Sequence, residues 1–423
     1  MREMKNSGTE WLSDIPRNWT LSNIGSLYTM RNVKVSDQDY PPLSVTMKGV
    51  VPQLETAAKT DAHDDRKLVK KGDFAINSRS DRRGSCGIAD RDGSVSLINT
   101  ILAPRTEMNP NYYNWLFHSS SFADEFYRWG HGIVDDLWTT RWQEMKKIDV
   151  PVPTYEEQEQ IASKLETECT KVDALIANQE AQIEKLKAYK QSLITEVVTK
   201  GLDPDVPMKD SGVEWIGNIA ANHSVWKLKF MLSEQMMYGA NESGESRSEH
   251  SARYIRITDI TADNSLKDDE NNLYLANDKA EPYILSDKDI LFARSGGTVG
   301  KSFMYREEYG RSAFAGYLIK AKCNQKKLIP EYLLYYTQSS LYEIWKNMIF
   351  IQATIQNIGA NKYSNMEMVV MPIAEQKEIV EYLDDKCAKV DVLIAIKQRK
   401  IEKLNQYKKS LIYEYVTGKK EVM

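Results

Sequence analysis

Apolar residues recur at alternating three- and four-residue steps along two long stretches of this chain. In the first they are Cys169, Val172, Ile176, Ile183, Leu186, Leu193 and Val197. In the second they are Cys387, Val390, Ile394, Ile401, Leu404, Leu411 and Tyr415. Such a seven-residue seam marks helices that pack knobs into holes. Both stretches are rich in Ala, Leu, Glu, Lys and Gln, lack Pro and Gly, and follow Pro153 or Pro372, which is how a long helix reads. Polar residues interrupt the seam at Gln179 and Lys397, and again at Lys190 and Lys408; positions of this kind set register and orientation. Two amphipathic helices lying on separate cores are the alternative, but about 40 unbroken residues exceed an ordinary globular helix.

The two stretches are copies. Glu157–Thr199 and Glu375–Thr417 align without a gap at an offset of about 218 residues, with about half the positions identical. A shorter echo opens each half: Ser7-Gly8-Thr9-Glu10-Trp11-Leu12 matches Ser211-Gly212-Val213-Glu214-Trp215-Ile216, each followed by a second tryptophan, Trp19 or Trp226. The order is domain, helix, domain, helix. Between the matching ends the contents diverge, as expected if each domain selects a different ligand. Because domain termini lie near each other, the second helix starts where the first ended and runs back along it. The fold class is α+β: two mixed α/β domains, residues 1–154 and 204–373. They are separated by helices in 155–203 and 374–423 that form an antiparallel two-helix coiled coil about 60 Å long, with an internal pseudo-two-fold axis. The expected seam contacts are Val172, Ile176, Ile183, Leu186 and Leu193 against Val390, Ile394, Ile401, Leu404 and Leu411.

Each domain carries an apolar strand that runs into a polar, Gly-containing turn. In the first, Lys71-Gly72-Asp73 precedes a strand that ends in Arg79, Ser80, Arg82 and Arg83. In the second, Asp287-Lys288-Asp289 precedes a strand that ends in Arg294, Ser295, Gly297, Thr298 and Lys301. Such turns can bring side chains and backbone N–H groups to phosphates or base edges. A further polar segment precedes each long helix, with Thr139, Thr140 and Arg141 in one copy and Gln356, Asn357, Asn361 and Lys362 in the other. Arg suits guanine, and Asn or Gln suits adenine. The plain alternatives are a hairpin turn with solvated arginines and a loop that caps the next element.

Ser295 to Ser302 nearly spell a phosphate-binding loop. The first position is Ser rather than Gly, and Phe303-Met304-Tyr305-Arg306 read as a strand where that motif requires a helix. The five histidines show no ligand spacing, and Asp64-Asp65 and Asp268-Asp269-Glu270 lie in polar stretches, so no metal or covalent chemistry is expected. The chain length of 423 residues requires more than one core. A net charge of −4 confines any nucleic-acid contact to local basic patches. The four separated cysteines read as core residues. No apolar run is long enough for a membrane span and the start lacks a signal-peptide core, so a cytoplasmic protein is expected.

With Pro153…Glu157-Gln158, Pro372…Glu375-Gln376, Lys71-Gly72-Asp73 and Ser211-Gly212-Val213-Glu214-Trp215-Ile216-Gly217 in place, nearly the whole chain resembles the specificity subunit of type I restriction-modification systems. The second domain departs from the pattern in Asp287-Lys288-Asp289 and in Ile219-Ala220-Ala221, where the first has Ile15-Pro16-Arg17. The resemblance implies two target-recognition domains, each reading half of a split double-stranded DNA sequence, and helices that bind two modification (methyltransferase) subunits. It also implies that S-adenosylmethionine, ATP and Mg belong to modification and restriction (translocase/nuclease) subunits, leaving no cofactor, no metal and no catalysis on this chain. The competing readings are a coiled-coil scaffold with two ligand-binding domains and a nucleotide-binding enzyme.

Overall fold

A computed structural model describes residues 2–54, 63–79, 82–132, 138–261, 265–267, 270–351 and 356–422. The chain divides into two compact units, Met1–Glu180 with Gln398–Met423, and Ala181–Lys397.

In unit 1, β1 (Thr20–Asn23) leads to β2 (Tyr28–Met30), β3 (Phe74–Asn77), β4 (Cys86–Ile88) and β5 (Asn99–Pro104). The last four form an antiparallel sheet in the order β4-β3-β5-β2. Helices α1 (Pro110–His118) and α2 (Ser120–Arg128) follow, then the short α3 (Trp142–Met145) and β6 (Asp149–Val152), which pairs with β1. Asn109 and Ser119 cap α1 and α2 with their side chains, which separates two helices that would otherwise run together. The 46-residue α4 (Tyr155–Lys200) starts here. It buries Ile161, Leu165 and Cys169 in a core of Phe74, Tyr112, Phe117 and Phe122. Each aliphatic residue contributes about 1.5–3 kcal/mol by leaving water.

Unit 2 repeats the frame. Its strand β7 (Ser224–Lys227) precedes a sheet of β8 (Met237–Tyr238), β9 (Ile290–Ala293), β10 (Ser302–Met304) and β11 (Leu318–Ala321), in the order β8-β11-β9-β10. Then come α5 (Pro330–Tyr336), α6 (Ser340–Ile351), α7 (Ala360–Ser364), β12 (Glu367–Val370), which pairs with β7, and the 44-residue α8 (Ile373–Val416). Its core takes Ile194, Val197 and Val198 of α4 and Ile379, Leu383 and Cys387 of α8. The units differ in their smaller three-stranded sheets. The pairing in unit 1 is antiparallel, whereas in unit 2 Ser251–Ile255 pairs parallel with Ser312–Phe314.

Every expected seam residue is buried or half-buried, while most of their neighbours on the helices are exposed. The three lysine interruptions have local partners. In unit 2, Lys190 pairs with Asp391 at 2.7 Å and Lys397 donates to Gln182. In unit 1, Lys408 pairs with Asp173 at 2.7 Å. All four cysteines are free and buried.

The Glu-Gln pair at each helix start is a latch. Gln158 accepts the Asn109 N–H at 2.9 Å and donates to the Pro153 carbonyl at 3.0 Å. Gln376 accepts the Ile329 N–H at 2.8 Å and donates to the carbonyls of Lys327 at 3.0 Å and Met371 at 2.8 Å. Glu157 accepts from the Trp19 indole at 3.1 Å, and Glu375 meets His223 Nε2 at 2.6 Å. The counterpart of buried Trp19 is therefore His223, which corrects the sequence pairing with Trp226, a residue 49% exposed. The departure at Asp287-Lys288-Asp289 changes the residue and keeps the backbone conformation. Gly72 takes φ +89°, and Lys288 occupies the same left-handed position at φ +68°, with its ammonium 2.9 Å from Glu331.

Candidate nucleic-acid interface

In unit 1, β3 delivers Ser78 and Arg79 to the edge of the sheet. Arg79 forms a β-bridge with Thr139, and the Thr140 N–H donates to the Ser78 carbonyl at 3.0 Å. The strand end and the segment before α3, far apart in sequence, thus form one rim. Arg79, Thr139 and Arg141 line an open groove of about 460 Å³ together with Asn32, Lys67 and Trp142. Burial lowers the pKa of Lys67, whose ammonium donates to the Asn99 carbonyl at 2.7 Å. Arg79 and Arg141 are exposed.

The other residues singled out in unit 1 are placed differently. Thr140 is 2% exposed and donates to the Phe126 carbonyl at 2.7 Å, so it anchors the rim rather than facing solvent. Arg83 pairs with Asp124 and lies over the Tyr127 ring, 5.0 Å from its centroid. Trp138 stacks on the same Tyr127 at 5.6 Å and donates to its carbonyl at 2.9 Å. The N–H of exposed Arg82 donates to the Arg79 carbonyl at 3.3 Å. Ser80 lies outside the described residues.

Unit 2 builds its rim through the same backbone bonds. Ser295 forms a β-bridge with Asn357, and the Ile358 N–H donates to the Arg294 carbonyl at 2.9 Å. Arg294 Nε donates to Asn357 Oδ1 at 3.4 Å, and its guanidinium lies 5.1 Å from the Tyr238 ring centroid. The turn through Gly297 and Thr298 closes by a bond from the Lys301 N–H to the Thr298 carbonyl at 3.0 Å. Two buried tyrosines hold it from below: Tyr342 donates to the Gly300 carbonyl at 2.6 Å, and Tyr363 donates to the Ala293 carbonyl at 2.8 Å. Gln356, Asn361 and Lys362 are exposed, and Asn361 already accepts from Asn365 Nδ2 at 2.9 Å.

The near phosphate-binding loop leads into β10, which pairs with β9. Ser302 lies at the position whose hydroxyl would hold magnesium in such a loop, yet it is buried against Thr337 Oγ1 at 2.6 Å. Among the described residues no group of three His, Cys, Asp or Glu side chains is placed to hold a metal ion, and no helix is long and apolar enough to cross a membrane.

The matched backbone bonds also reveal equivalences that sequence comparison missed. Ser78, Arg79, Thr139 and Arg141 stand where unit 2 has Arg294, Ser295, Asn357 and Gly359. The repeat extends into the domains: Tyr112 of α1 donates to the Val416 carbonyl at 2.9 Å, and Tyr332 of α5 donates to that of Val198 at 3.3 Å. Pro110 and Pro330, each two residues before these tyrosines, were the available signal.

A shared frame with unlike rims defines an internally duplicated protein. Residues 240–406 match the family model for the type I restriction modification DNA specificity domain. The chain is 21% identical over 321 residues to the type I restriction enzyme StySPI specificity subunit of Salmonella potsdam, covering 75% of this chain and 67% of that one. It is 24% identical over 436 residues to the MjaVIII specificity subunit of Methanocaldococcus jannaschii, covering 96% and 93%. A solved structure from work on complex assembly and conformational transition of the type I R-M system has the same fold, with a TM-score of 0.70 at 14% identity over 95% of this chain and 98% of that one. The chain is thus similar to type I restriction-modification specificity subunits over most of its length, and residues 240–406 match the DNA specificity domain of that family.

Proposed function

We propose that this chain reads a bipartite double-stranded DNA sequence, one half with each unit, and is the non-catalytic specificity subunit of its complex. The observation that carries the reading is the repeated rim. One β-bridge and one backbone hydrogen bond of the same register join the strand end to the pre-helix segment in both units, while the side chains there differ. A common frame fixes the approach to DNA, and the differing side chains fix the sequence each half accepts.

The long helices serve as an antiparallel coiled-coil spacer between recognition domains 1–154 and 204–373. In support, the seam residues are buried or half-buried, and partner numbers on α8 fall as those on α4 rise, from Lys397 at Gln182 to Asp391 at Lys190. The partners are two modification subunits, which bring S-adenosylmethionine, and restriction subunits, which bring ATP and Mg. The test is to express the full chain with modification subunits of its own type I system and to sequence the methylated bases. Methylation at two fixed half-sites separated by an unread gap supports the reading; a contiguous target, or none, refutes it. A scaffold without DNA recognition would show no salt-dependent affinity for duplex DNA.

A further inference from the structure

We propose that Tyr238 is a specificity-determining positioning residue of unit 2, one that holds Arg294 as the base-reading cation of that rim. The inference rests on the DNA-reading function proposed above and adds to it a residue outside both recognition segments. Tyr238 ends the two-residue edge strand β8, opposite Ile319 of β11. Its ring carries the Arg294 guanidinium at 5.1 Å, and its hydroxyl accepts the N–H of Ala360 at 2.9 Å. One side chain therefore ties the sheet edge, the strand end and the start of α7 together around a single arginine.

The surroundings are built to keep it there. Asn357 Oδ1 accepts from Arg294 Nε on the other side, so the side chain is held between an aromatic face and an amide. That leaves the terminal guanidinium nitrogens, the pair that addresses guanine O6 and N7, outside the bond to Asn357. Gly359 supplies the space: a β-carbon there would stand 3.1 Å from the Tyr238 hydroxyl. Gly239 fixes the backbone after the tyrosine, since a β-carbon there would lie 2.3 Å from the Phe314 carbonyl.

Unit 1 shows the opposite choice at the same positions. Where unit 2 has Tyr238, Arg294 and Gly359, the common register gives Asn32, Ser78 and Arg141, all of which line the unit 1 groove. The three positions change together. In unit 1, Arg141 of the pre-helix segment shares the groove with Asn32 and Ser78, beside Arg79 from the strand end; in unit 2, Arg294 comes from the strand and is braced by a tyrosine, with glycine opposite. A tyrosine needed only for folding would not have to change in step with the arginine it carries.

The experiment uses the full chain with its modification subunits and selects bound sequences from a randomised duplex library, reading the base preference in each half-site. Arg294→Ala is expected to lower the preference for one G·C pair in the second half-site about tenfold. Tyr238→Leu should lower it about fourfold, while Tyr238→Phe, which keeps the ring under the guanidinium, should restore it. All three should leave the first half-site and the salt dependence unchanged. If Arg294→Ala lowers the preference but Tyr238→Leu does not, or if Tyr238→Leu weakens both half-sites equally, the positioning role is refuted while DNA reading stands. If the unaltered complex selects no sequence, the proposed function itself fails.

Discussion

Asp73 and Asp289 occupy one position in the two units and carry opposite expectations. Asp73 is 3% exposed, and its carboxylate accepts from the Lys70 N–H at 2.9 Å and from Arg31 Nε and Nη2 at 2.6 and 3.0 Å. Asp289 is 1% exposed; its Oδ2 accepts the Ser286 N–H at 2.8 Å, and its Oδ1 has no hydrogen-bond partner. Burial raises its pKa from the ordinary carboxylate value. The Ser286 bond, Lys320 and Lys322 lower it by less, and Glu234 raises it further. Removing one member of a buried ion pair costs about 3–5 kcal/mol. Because the Arg31 side chain is 25% exposed, water recovers part of that cost, and Asp73→Asn should destabilise unit 1 by about 2 kcal/mol. Asp289→Asn keeps the Ser286 bond and removes only an unpaired buried charge, so it should stabilise unit 2 by about 1 kcal/mol near neutral pH. The sign follows from linkage. A carboxyl whose pKa is raised by folding leaves stability intact below its unfolded value of about 4, and stability falls as pH climbs through the folded value. The gain from Asp289→Asn should therefore vanish at about pH 4. Hydrogen exchange of the strand amides in 74–77 and 290–293 reads each unit separately, and comparing variant with wild type at each pH cancels the intrinsic rate. Equal losses at both aspartates, or an Asp289→Asn gain independent of pH, would refute the reasoning.

Two further outcomes follow from the helix starts and the helix lengths. Gln376→Leu strands three backbone groups and Gln158→Leu two, at about 1–3 kcal/mol for each buried group left unpaired. Thermal unfolding should show the larger loss for Gln376→Leu, and a neutral result for either would overturn the latch. Inserting one heptad into both α4 and α8 lengthens each by about 10 Å. Sequencing of methylated bases should then show a longer gap between half-sites whose sequences are unchanged, and an unchanged gap would remove the spacer role.

The long helices were legible because their period and their duplication are properties of side-chain type alone, which survive without knowledge of the fold. Cys169 and Cys387, read as core residues from the same seam, are buried at 2% and 3%. The latch was visible as a repeated Glu-Gln but not as a latch, because Gln158 and Gln376 bond backbone groups, which have no sequence identity. Trp19 and His223 stand opposite each other when Ile15-Pro16-Arg17 is set against Ile219-Ala220-Ala221, but their common role was not legible, because an indole N–H and an imidazole nitrogen face equivalent carboxylates while sharing no side-chain similarity.

The rims were legible only in part, and the missing part explains their design. Arg79 with Thr139 and Ser295 with Asn357 share no side-chain chemistry, yet their main chains make the same bridge. When the frame is held by main-chain bonds, the side chains at 79, 139 and 141, and at 295, 357 and 359, can be exchanged without dismantling it. Thr140 marks the limit of that freedom, since its hydroxyl is used on Phe126 and its place in unit 2 is taken by fully buried Ile358. Exposed positions on the rim, such as Arg79 and Arg141, can vary freely, whereas Thr140 and Ile358 beside them must satisfy the core. A frame held by main-chain bonds confines the differences at the rim to a few side chains, and it lets two units with almost no common sequence between their ends keep one fold.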